Sequence, residues 1–274
     1  MTALRLIVGL GNPGPEHAQT RHNAGFRFVD ALIERSGARW ALDSKLFGET
    51  AKVEVAGQPV WLLKPATFMN LSGKSITAAL RFWKIEPEHL LVAHDELDLA
   101  PGTARLKFDG GHGGQNGLRD TIRLLGHGKF HRLRVGIGHP GHKDRVVPWV
   151  LGRAGREDDA AIGAAVDAAI DVLPLAMEGN FNEAMKRLHT EKNREWGIGN
   201  GQGAAPAILH SRFSIHWKTH GYQMRHRRPA QCRQVDPVQC ADQGRHRCGQ
   251  LPVLHHRAER RHRAGAGSAS QSAG

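Results

Sequence analysis

Three polar side chains near the start of the chain are of types that could support hydrolysis. Asn12, His22 and Asn23 lie in the stretches 9–14 (GLGNPG) and 20–25 (TRHNAG). Histidine suits general-base catalysis because its ordinary pKa is about 6.5, so the neutral form is present near neutral pH. In a purely structural alternative, the glycines make a tight turn and His22 caps the helix that follows. The pattern alone leaves both interpretations open.

A dense group of ionisable residues, 94–98 (HDELD), follows the short apolar run 90–93. Asp95 could hold a catalytic histidine in one tautomer and stabilise its protonated form, as an aspartate does in a catalytic triad. Alternatively, Asp95 caps a turn and its neighbours are solvated. These residues lack a ligand spacing such as His-Glu-x-x-His, so the sequence predicts no metal site.

Two further segments contain side-chain amides. Residues 110–117 (GGHGGQNG) form a glycine-rich stretch before a helix, where backbone amides can approach a phosphate or an oxyanion. Asn116 adds a donor that the alternative, a mobile linker, would not need. Residues 64–73 (KPATFMNLSG) include Asn70 in the same way, although Phe68 and its neighbour could simply belong to the core.

The glycines of the first loop also match the dinucleotide-binding pattern Gly-x-Gly-x-x-Gly, at Gly9, Gly11 and Gly14. That pattern requires a helix that begins within the glycine turn and an acidic residue about 20 residues later, after a second strand. Here Pro13 delays the helix and Asp30 falls within a helical pattern. A nucleotide-dependent oxidoreductase is therefore the weakest interpretation, and we expect no cofactor.

Hydrophobic periodicity predicts the elements that must position these residues. The predicted strands are 4–10, 47–55, 60–63, 90–93, 103–108 and 133–137, and the predicted helices are 23–35, 72–83, 117–125 and 158–187. Pro174 and Gly179 should divide the last helix. We expect an α/β fold, a single domain with a mixed, twisted central sheet and helices on both faces, with ligands at the carboxyl ends of the strands.

Six stretches together resemble the bacterial peptidyl-tRNA hydrolase family, in the expected order along residues 1–193. They are residues 6–14, 20–25, 64–74, 92–99, 110–120 and 130–141. The resemblance implies a monomeric, cytoplasmic hydrolase that cuts the ester bond between a peptide and tRNA without a metal or cofactor. A non-catalytic RNA-binding protein of the same fold is the main alternative.

The resemblance also implies roles for individual residues. His22 is the catalytic base, Asp95 orients it, and Asn12 helps to discriminate blocked from free aminoacyl groups. Phe68, Asn70 and Asn116 contact the tRNA 3′ end or the reacting centre, while Lys107 and Arg134 clamp a tRNA phosphate. Two positions depart from the family, which often has Tyr where this chain has His17 and His where it has Gln115. The first departure weakens a stacking contact with RNA, and the second removes a titratable group.

The last part of the chain differs in composition from the rest. Residues 1–193 contain 25 Lys and Arg against 22 Asp and Glu, whereas residues 194–274 contain 13 against 4. All three cysteines lie in this basic segment, so residues 1–193 have no disulfide and are typical of a reduced, cytosolic protein. No apolar run suits a signal peptide or a membrane span.

We expect residues 194–274 to form a basic, disordered tail outside the hydrolase domain. It could bind RNA through its charge, but another hypothesis explains its composition better. Back-translation of residues 224–240 with GC-rich codons gives CGIVGLPNVGKSTLFN in a shifted frame, which resembles the start of an Obg-like GTPase. The tail would then be an out-of-frame translation of a neighbouring gene.

Overall fold

A computed structural model of the protein describes residues 3–190, and seven strands within this range form one sheet. The strands are β1 (Leu6–Gly9), β2 (Ala41–Asp43), β3 (Gly48–Val55), β4 (Gln58–Pro65), β5 (Leu90–Glu96), β6 (Ala104–Phe108) and β7 (His131–Gly136). The domain boundary predicted at residue 193, the predicted disorder of the tail and its out-of-frame origin all concern residues outside the described range.

The sheet is mixed, as predicted, with parallel strands at its centre and antiparallel pairs at both edges. Its order is β2-β3-β4-β1-β5-β7-β6. Strand β1 pairs in parallel with β4 and β5, and β5 pairs in parallel with β7. The register places Gly9 beside Ala93, so the loops after β1 and β5 emerge next to each other at the same edge of the sheet.

Helices cover both faces of the sheet, which confirms the predicted α/β class. They are α1 (Ala24–Ser36), α2 (Ser72–Trp83), α3 (Asn116–Leu125), α4 (Val146–Val150), α5 (Arg156–Asp171), α6 (Leu173–Met177) and α7 (Phe181–Thr190). Apolar side chains of α1, α5, α6 and α7 form one core with Ile7 and Leu91, and those of α2 and α3 form a second core with Leu6 and Val8. No helix within residues 3–190 is long and apolar enough to cross a membrane.

Two short elements were not predicted, and the long helix divides where expected. Strand β2 has three residues on the edge of the sheet, and its Leu42 is 75% exposed, so it lacks an alternating burial pattern. Helix α4 has only five residues and contains Pro148. The predicted helix over 158–187 is split by Pro174, in the first turn of α6 where no amide hydrogen is needed, and by Gly179 at φ +83°.

Helix α1 begins in direct backbone contact with the two central strands. A Cβ atom at Gly25 would lie 2.3 Å from the Ala93 carbonyl oxygen and 2.4 Å from the Leu10 nitrogen. Because α1 lies so close to β1, a side chain cannot fit at Gly9 either, where a Cβ would lie 2.3 Å from the Gly25 carbonyl oxygen. Only glycine permits this separation. The segment just before α1, which contains His22, is thereby held against the end of β5.

Candidate active site

His22 and Asp95 form a hydrogen-bonded pair where β1 and β5 end. His22 lies in the 3-10 turn Arg21–Asn23, and its Nδ1 is 2.8 Å from Oδ2 of Asp95. A carboxylate only accepts hydrogen bonds, so Nδ1 carries the proton and Nε2 keeps a free lone pair. Helix α1 has no side-chain cap at its first turn, and the helix-capping alternative for His22 is therefore wrong.

The surroundings of His22 shift its pKa in two opposing directions. Burial by itself lowers the pKa of the imidazole, because the charged form loses hydration. The negative charge of Asp95 and the hydrogen bond to it together outweigh burial and raise the pKa above 6.5. His22 is therefore a stronger base than a free histidine, and it is neutral only above this raised pKa.

The second carboxylate oxygen of Asp95 is bound by Gln115. The Gln115 Nε2 donates to Asp95 Oδ1 at 3.1 Å and also lies 3.1 Å from the Met69 sulfur. The Gln115 Oε1 accepts from the Leu118 amide at 2.8 Å, which caps the first turn of α3. Both Asp95 oxygens therefore bind side chains rather than a turn, and the turn-capping alternative for Asp95 is wrong.

Asn12 is fixed by three hydrogen bonds. Its backbone amide donates to Asn23 Oδ1 at 2.8 Å, and Asn23 Nδ2 donates back to the Asn12 carbonyl at 3.0 Å. The Met69 amide donates to Asn12 Oδ1 at 2.8 Å. Because Oδ1 is the acceptor, Nδ2 is the group of Asn12 that remains to donate, and no partner for it lies within residues 3–190.

A cleft of about 380 Å³ borders Asn12 and Asn23. Phe26 and Lys64 contribute to its wall, and Lys64 Nζ is 3.0 Å from Asp30 Oδ1 within it. Neither member of the His22–Asp95 pair lines this cleft. Asn12 and Asn23 thus both adjoin the cleft, and Asn12 is joined through the Met69 amide to the residue whose sulfur contacts Gln115.

The turn that leads into α2 presents side chains to solvent. Phe68 is 58% exposed, Asn70 is exposed, and Met69 between them is 3% exposed. The core alternative is therefore correct for Met69 and wrong for Phe68. Leu71, which the sequence analysis did not single out, is 49% exposed and extends this apolar surface.

The glycine-rich loop before α3 is tied to the sheet by one buried cation. Arg132, which is 3% exposed, donates to the carbonyl oxygens of Gly110, Gly111 and Gly128. Burial lowers the pKa of its guanidinium, and the neighbouring Arg134 adds to this effect. The loop is therefore bound on one side, unlike a mobile linker, and Asn116 follows it as an exposed residue in the first turn of α3.

Lys107 and Arg134 lie on one face of the antiparallel pair β6 and β7. The antiparallel register pairs Lys107 with Arg132, two residues from Arg134, so the two side chains are diagonal neighbours. Lys107 is exposed and reaches Gly110, where a Cβ would be 2.9 Å from its Nζ. Arg134 is held by Glu96, with Nε 2.8 Å from Oε2. Lys107 and Arg134 thus share a face of these two strands with Arg132, which binds the glycine-rich loop.

His17 is not joined to the other candidate residues. Its side chain is 25% exposed, and its Nε2 lies 3.7 Å from Oε1 of Glu16. No hydrogen bond within the described range connects it to His22 or Asp95. His17 therefore borders the site through the loop that it shares with Asn12, and not through a direct contact.

The 3-10 turn that carries His22 is fastened from the other side by Arg21. The Arg21 guanidinium stacks on Trp149 at 3.7 Å and donates to the Arg153 carbonyl at 2.7 Å. These contacts reach more than 120 residues along the chain and were not foreseen from the sequence. They hold the backbone of the turn that carries His22 independently of the His22 side chain.

The structure gives no support to a dinucleotide site in the first loop. Helix α1 begins at Ala24, ten residues after Gly14, so no helix starts within the glycine turn as the fingerprint requires. Within residues 3–190, no three His, Cys, Asp or Glu side chains are grouped in a way that could hold a metal ion.

Sequence reasoning missed the partners that position the site. Gln115 was noted only as a departure from the family, and its bond to Asp95 spans 20 positions. Arg132 was not singled out, although it lies in the stretch 130–141. The alternation of Arg132, Leu133 and Arg134 places both arginines on one face of β7, and this alternation could have indicated that the two residues act on the same side of the sheet. Asn23 was noted near His22, but no periodicity indicated its pairing with Asn12.

Comparison with known proteins agrees with this geometry. The family model described as peptidyl-tRNA hydrolase matches residues 6–195. Peptidyl-tRNA hydrolases of Xanthomonas oryzae and Stenotrophomonas maltophilia are 93% and 82% identical over 193 and 192 residues, which is 70% of this chain and the whole of each relative. The crystal structure of the Acinetobacter baumannii peptidyl-tRNA hydrolase is 47% identical with a TM-score of 0.67, over 69% of this chain and 95% of that one. This chain belongs to the peptidyl-tRNA hydrolase family.

Proposed function

We propose that this protein hydrolyses the ester bond between tRNA and a peptide or an N-blocked aminoacyl group, with His22 as the general base, and so returns tRNA for reuse. The observation that carries the proposal is the His22–Asp95 pair, which leaves Nε2 of a basic imidazole free at the end of the central strands. Family membership supplies the substrate class.

In the first step, His22 Nε2 takes a proton from water while the water oxygen bonds to the ester carbonyl carbon. Asp95 stabilises the imidazolium that results, because it is negative, buried and 2.8 Å away. The tetrahedral intermediate then expels the ribose oxygen of the tRNA, and His22 returns the proton to that oxygen. The products are tRNA with a free terminal hydroxyl and a peptide carboxylic acid, which releases its proton to solvent near neutral pH.

The oxyanion of the tetrahedral intermediate needs donors that are already in place before reaction. The Asn12 Nδ2 is the best-held candidate, since Met69 and Asn23 fix the rest of that residue. Asn70 and Asn116 are exposed at the starts of α2 and α3, where they can bind the tRNA 3′ end or the reacting carbonyl.

The tRNA is held mainly by contacts that do not read its sequence. Lys107 and Arg134 supply charge-assisted hydrogen bonds to a backbone phosphate, which position a nucleic acid without selecting bases. Phe68 offers an exposed ring on which a base can stack, and His17 offers a smaller one. The resemblance to the family also supports a monomer that works in the cytoplasm.

Release of an N-blocked, labelled aminoacyl group from tRNA by the full-length chain tests this proposal. His22→Ala should lower kcat by about 10²–10⁴-fold, the usual contribution of a general base. His189→Ala, which removes an exposed histidine on α7, is the matched control and should leave release unchanged. Release that survives in the His22 variant would exclude His22 as the base. Binding of tRNA by the folded parent without any release would identify a non-catalytic RNA-binding protein.

A further inference from the structure

We propose that Gln115 is a positioning residue for the reaction, which holds the Asp95 carboxylate from the side opposite His22. The inference rests on the proposed function of the His22–Asp95 pair. The family often has His where this chain has Gln115, and the sequence alone gave Gln115 no partner in the site.

The two oxygens of Asp95 are divided between two partners. Oδ2 binds His22 Nδ1 at 2.8 Å, and Oδ1 accepts from Gln115 Nε2 at 3.1 Å. The Asp95 side chain is 4% exposed, so water cannot easily replace either partner. A buried carboxylate without a second donor is costly, and the final torsion of an aspartate side chain is soft. Gln115 therefore removes both the unpaired oxygen and the rotational freedom.

Gln115 is itself held in one orientation. Its Oε1 accepts from the Leu118 amide at 2.8 Å, so the amide cannot flip without losing that bond, and Nε2 must face Asp95. Capping alone does not explain a glutamine here, because Ser, Asp, Asn and Thr are the preferred N-cap residues. Glutamine has the length to cap α3 with its oxygen and to reach Asp95 with its nitrogen.

The bond to Gln115 also affects the charge that His22 experiences. The Gln115 N–H places the positive end of a dipole on the carboxylate and offsets part of its negative charge. Without that dipole, Asp95 attracts the His22 imidazolium more strongly, and the pKa of His22 rises further above 6.5. A smaller share of His22 would then be the neutral base near pH 7.

Gln115→Ser separates the two roles of the residue. Serine is a preferred N-cap, so it keeps an acceptor for the first turn of α3, but it is too short to reach Asp95. We expect a modestly lower thermal midpoint, because a buried Asp95 oxygen loses its donor, together with an unchanged KM and a fall in kcat of about tenfold, the low end of what loss of an outer hydrogen-bond partner costs at metal sites. The rising limb of the pH–rate profile should move to higher pH.

Two further measurements make the test decisive. Gln115→His offers an N–H donor of nearly the same reach and should restore most of kcat and move the rising limb back. An NMR titration of the His22 ring in the full-length chain, parent against Gln115→Ser, reads the pKa without any substrate and should show a higher value in the variant.

The inference is overturned if Gln115→Ser leaves kcat, the rising limb and the His22 titration as in the parent. It is also overturned if the only change is a lower thermal midpoint, which would show that Gln115 contributes to stability alone. Failure of the proposed function looks different, because the parent chain itself would then release no aminoacyl group while the His22 titration still responded to Gln115→Ser.

Discussion

Asp95→Asn should abolish most of the activity while leaving the site nearly isosteric. The effect follows from which groups the new amide must satisfy. Gln115 offers Asp95 an N–H donor, so the oxygen of the introduced asparagine must face Gln115 and its amino group must face His22 Nδ1. That amino group then donates to Nδ1, which forces the proton of neutral His22 onto Nε2. The nitrogen that should accept the proton of water is thereby blocked.

The magnitude can be worked from the same geometry. A full ion pair in close contact is worth about 4 kcal/mol at an effective dielectric of 20, or nearly a 10³-fold stabilisation of the imidazolium. The wrong tautomer adds to this loss, and the corresponding change in a serine-protease triad costs about 10⁴ in kcat. We expect kcat to fall by about 10³–10⁴-fold, with little change in KM.

The assay is single-turnover release of an N-blocked aminoacyl group from tRNA across pH 5.5–9. Without the negative charge of Asp95, only burial acts on His22, so the pKa of the imidazole should fall and the residual activity should begin at lower pH than in the parent. A kcat within tenfold of the parent, or a rising limb at the parent's pH, would refute the assignment of Asp95 as the partner of His22.

Four other expectations are testable with the same protein. kcat/KM should rise with pH through the pKa of His22, which lies above 6.5. The stabilisation that the folded protein gains from protonated His22 is present below pH 6.5 and is lost as the pH rises through the raised pKa. If both kcat/KM and the urea midpoint were flat across this range, the raised pKa would be contradicted. Asn12→Asp keeps the side-chain acceptor but removes the donor, so kcat should drop by about 10²–10³-fold with folding intact. A loss of less than threefold would exclude Asn12 as a donor to the oxyanion. Lys107→Ala should raise KM and reduce the slope of log KM against log salt by about 1; an unchanged slope would mean no phosphate contact. Gly25→Ala should lower the free energy of unfolding by about 3 kcal/mol, because the new methyl meets backbone atoms. The control Gly163→Ala, whose new methyl meets nothing closer than 3.7 Å, should raise it by about 0.5–1 kcal/mol. Equal effects of the two substitutions would show that α1 can move away from the sheet.

The parts of the fold that follow from local pattern were predictable. Strands β1 and β5 are buried on both faces, so they appear in the sequence as short apolar runs, and the amphipathic α2 and α3 appear through their periodicity. Strand β2 and helix α4 have too few residues to show a period. Their formation depends on neighbours distant in the chain.

The candidate site divides in the same way. His22 and Asp95 were predictable as chemistry because their residue types and their places after strands are local features. The hydrogen bonds that hold these residues in place were not predictable, because Gln115 reaches Asp95 across 20 positions and Arg21 reaches Arg153 across 132. Hydrogen bonds of this kind are set by tertiary packing, and no periodicity in the chain encodes them.

The backbone contact between α1 and the central strands has a consequence for mutational scanning. Gly9 and Gly25 have no side chain that could take part in chemistry, yet any side chain placed there meets backbone atoms that cannot rotate away. A saturation library scored by growth would rank both glycines beside His22 among the intolerant positions. Tolerance alone would therefore overcount the catalytic residues, and only an assay that separates protein abundance from turnover would divide the two groups.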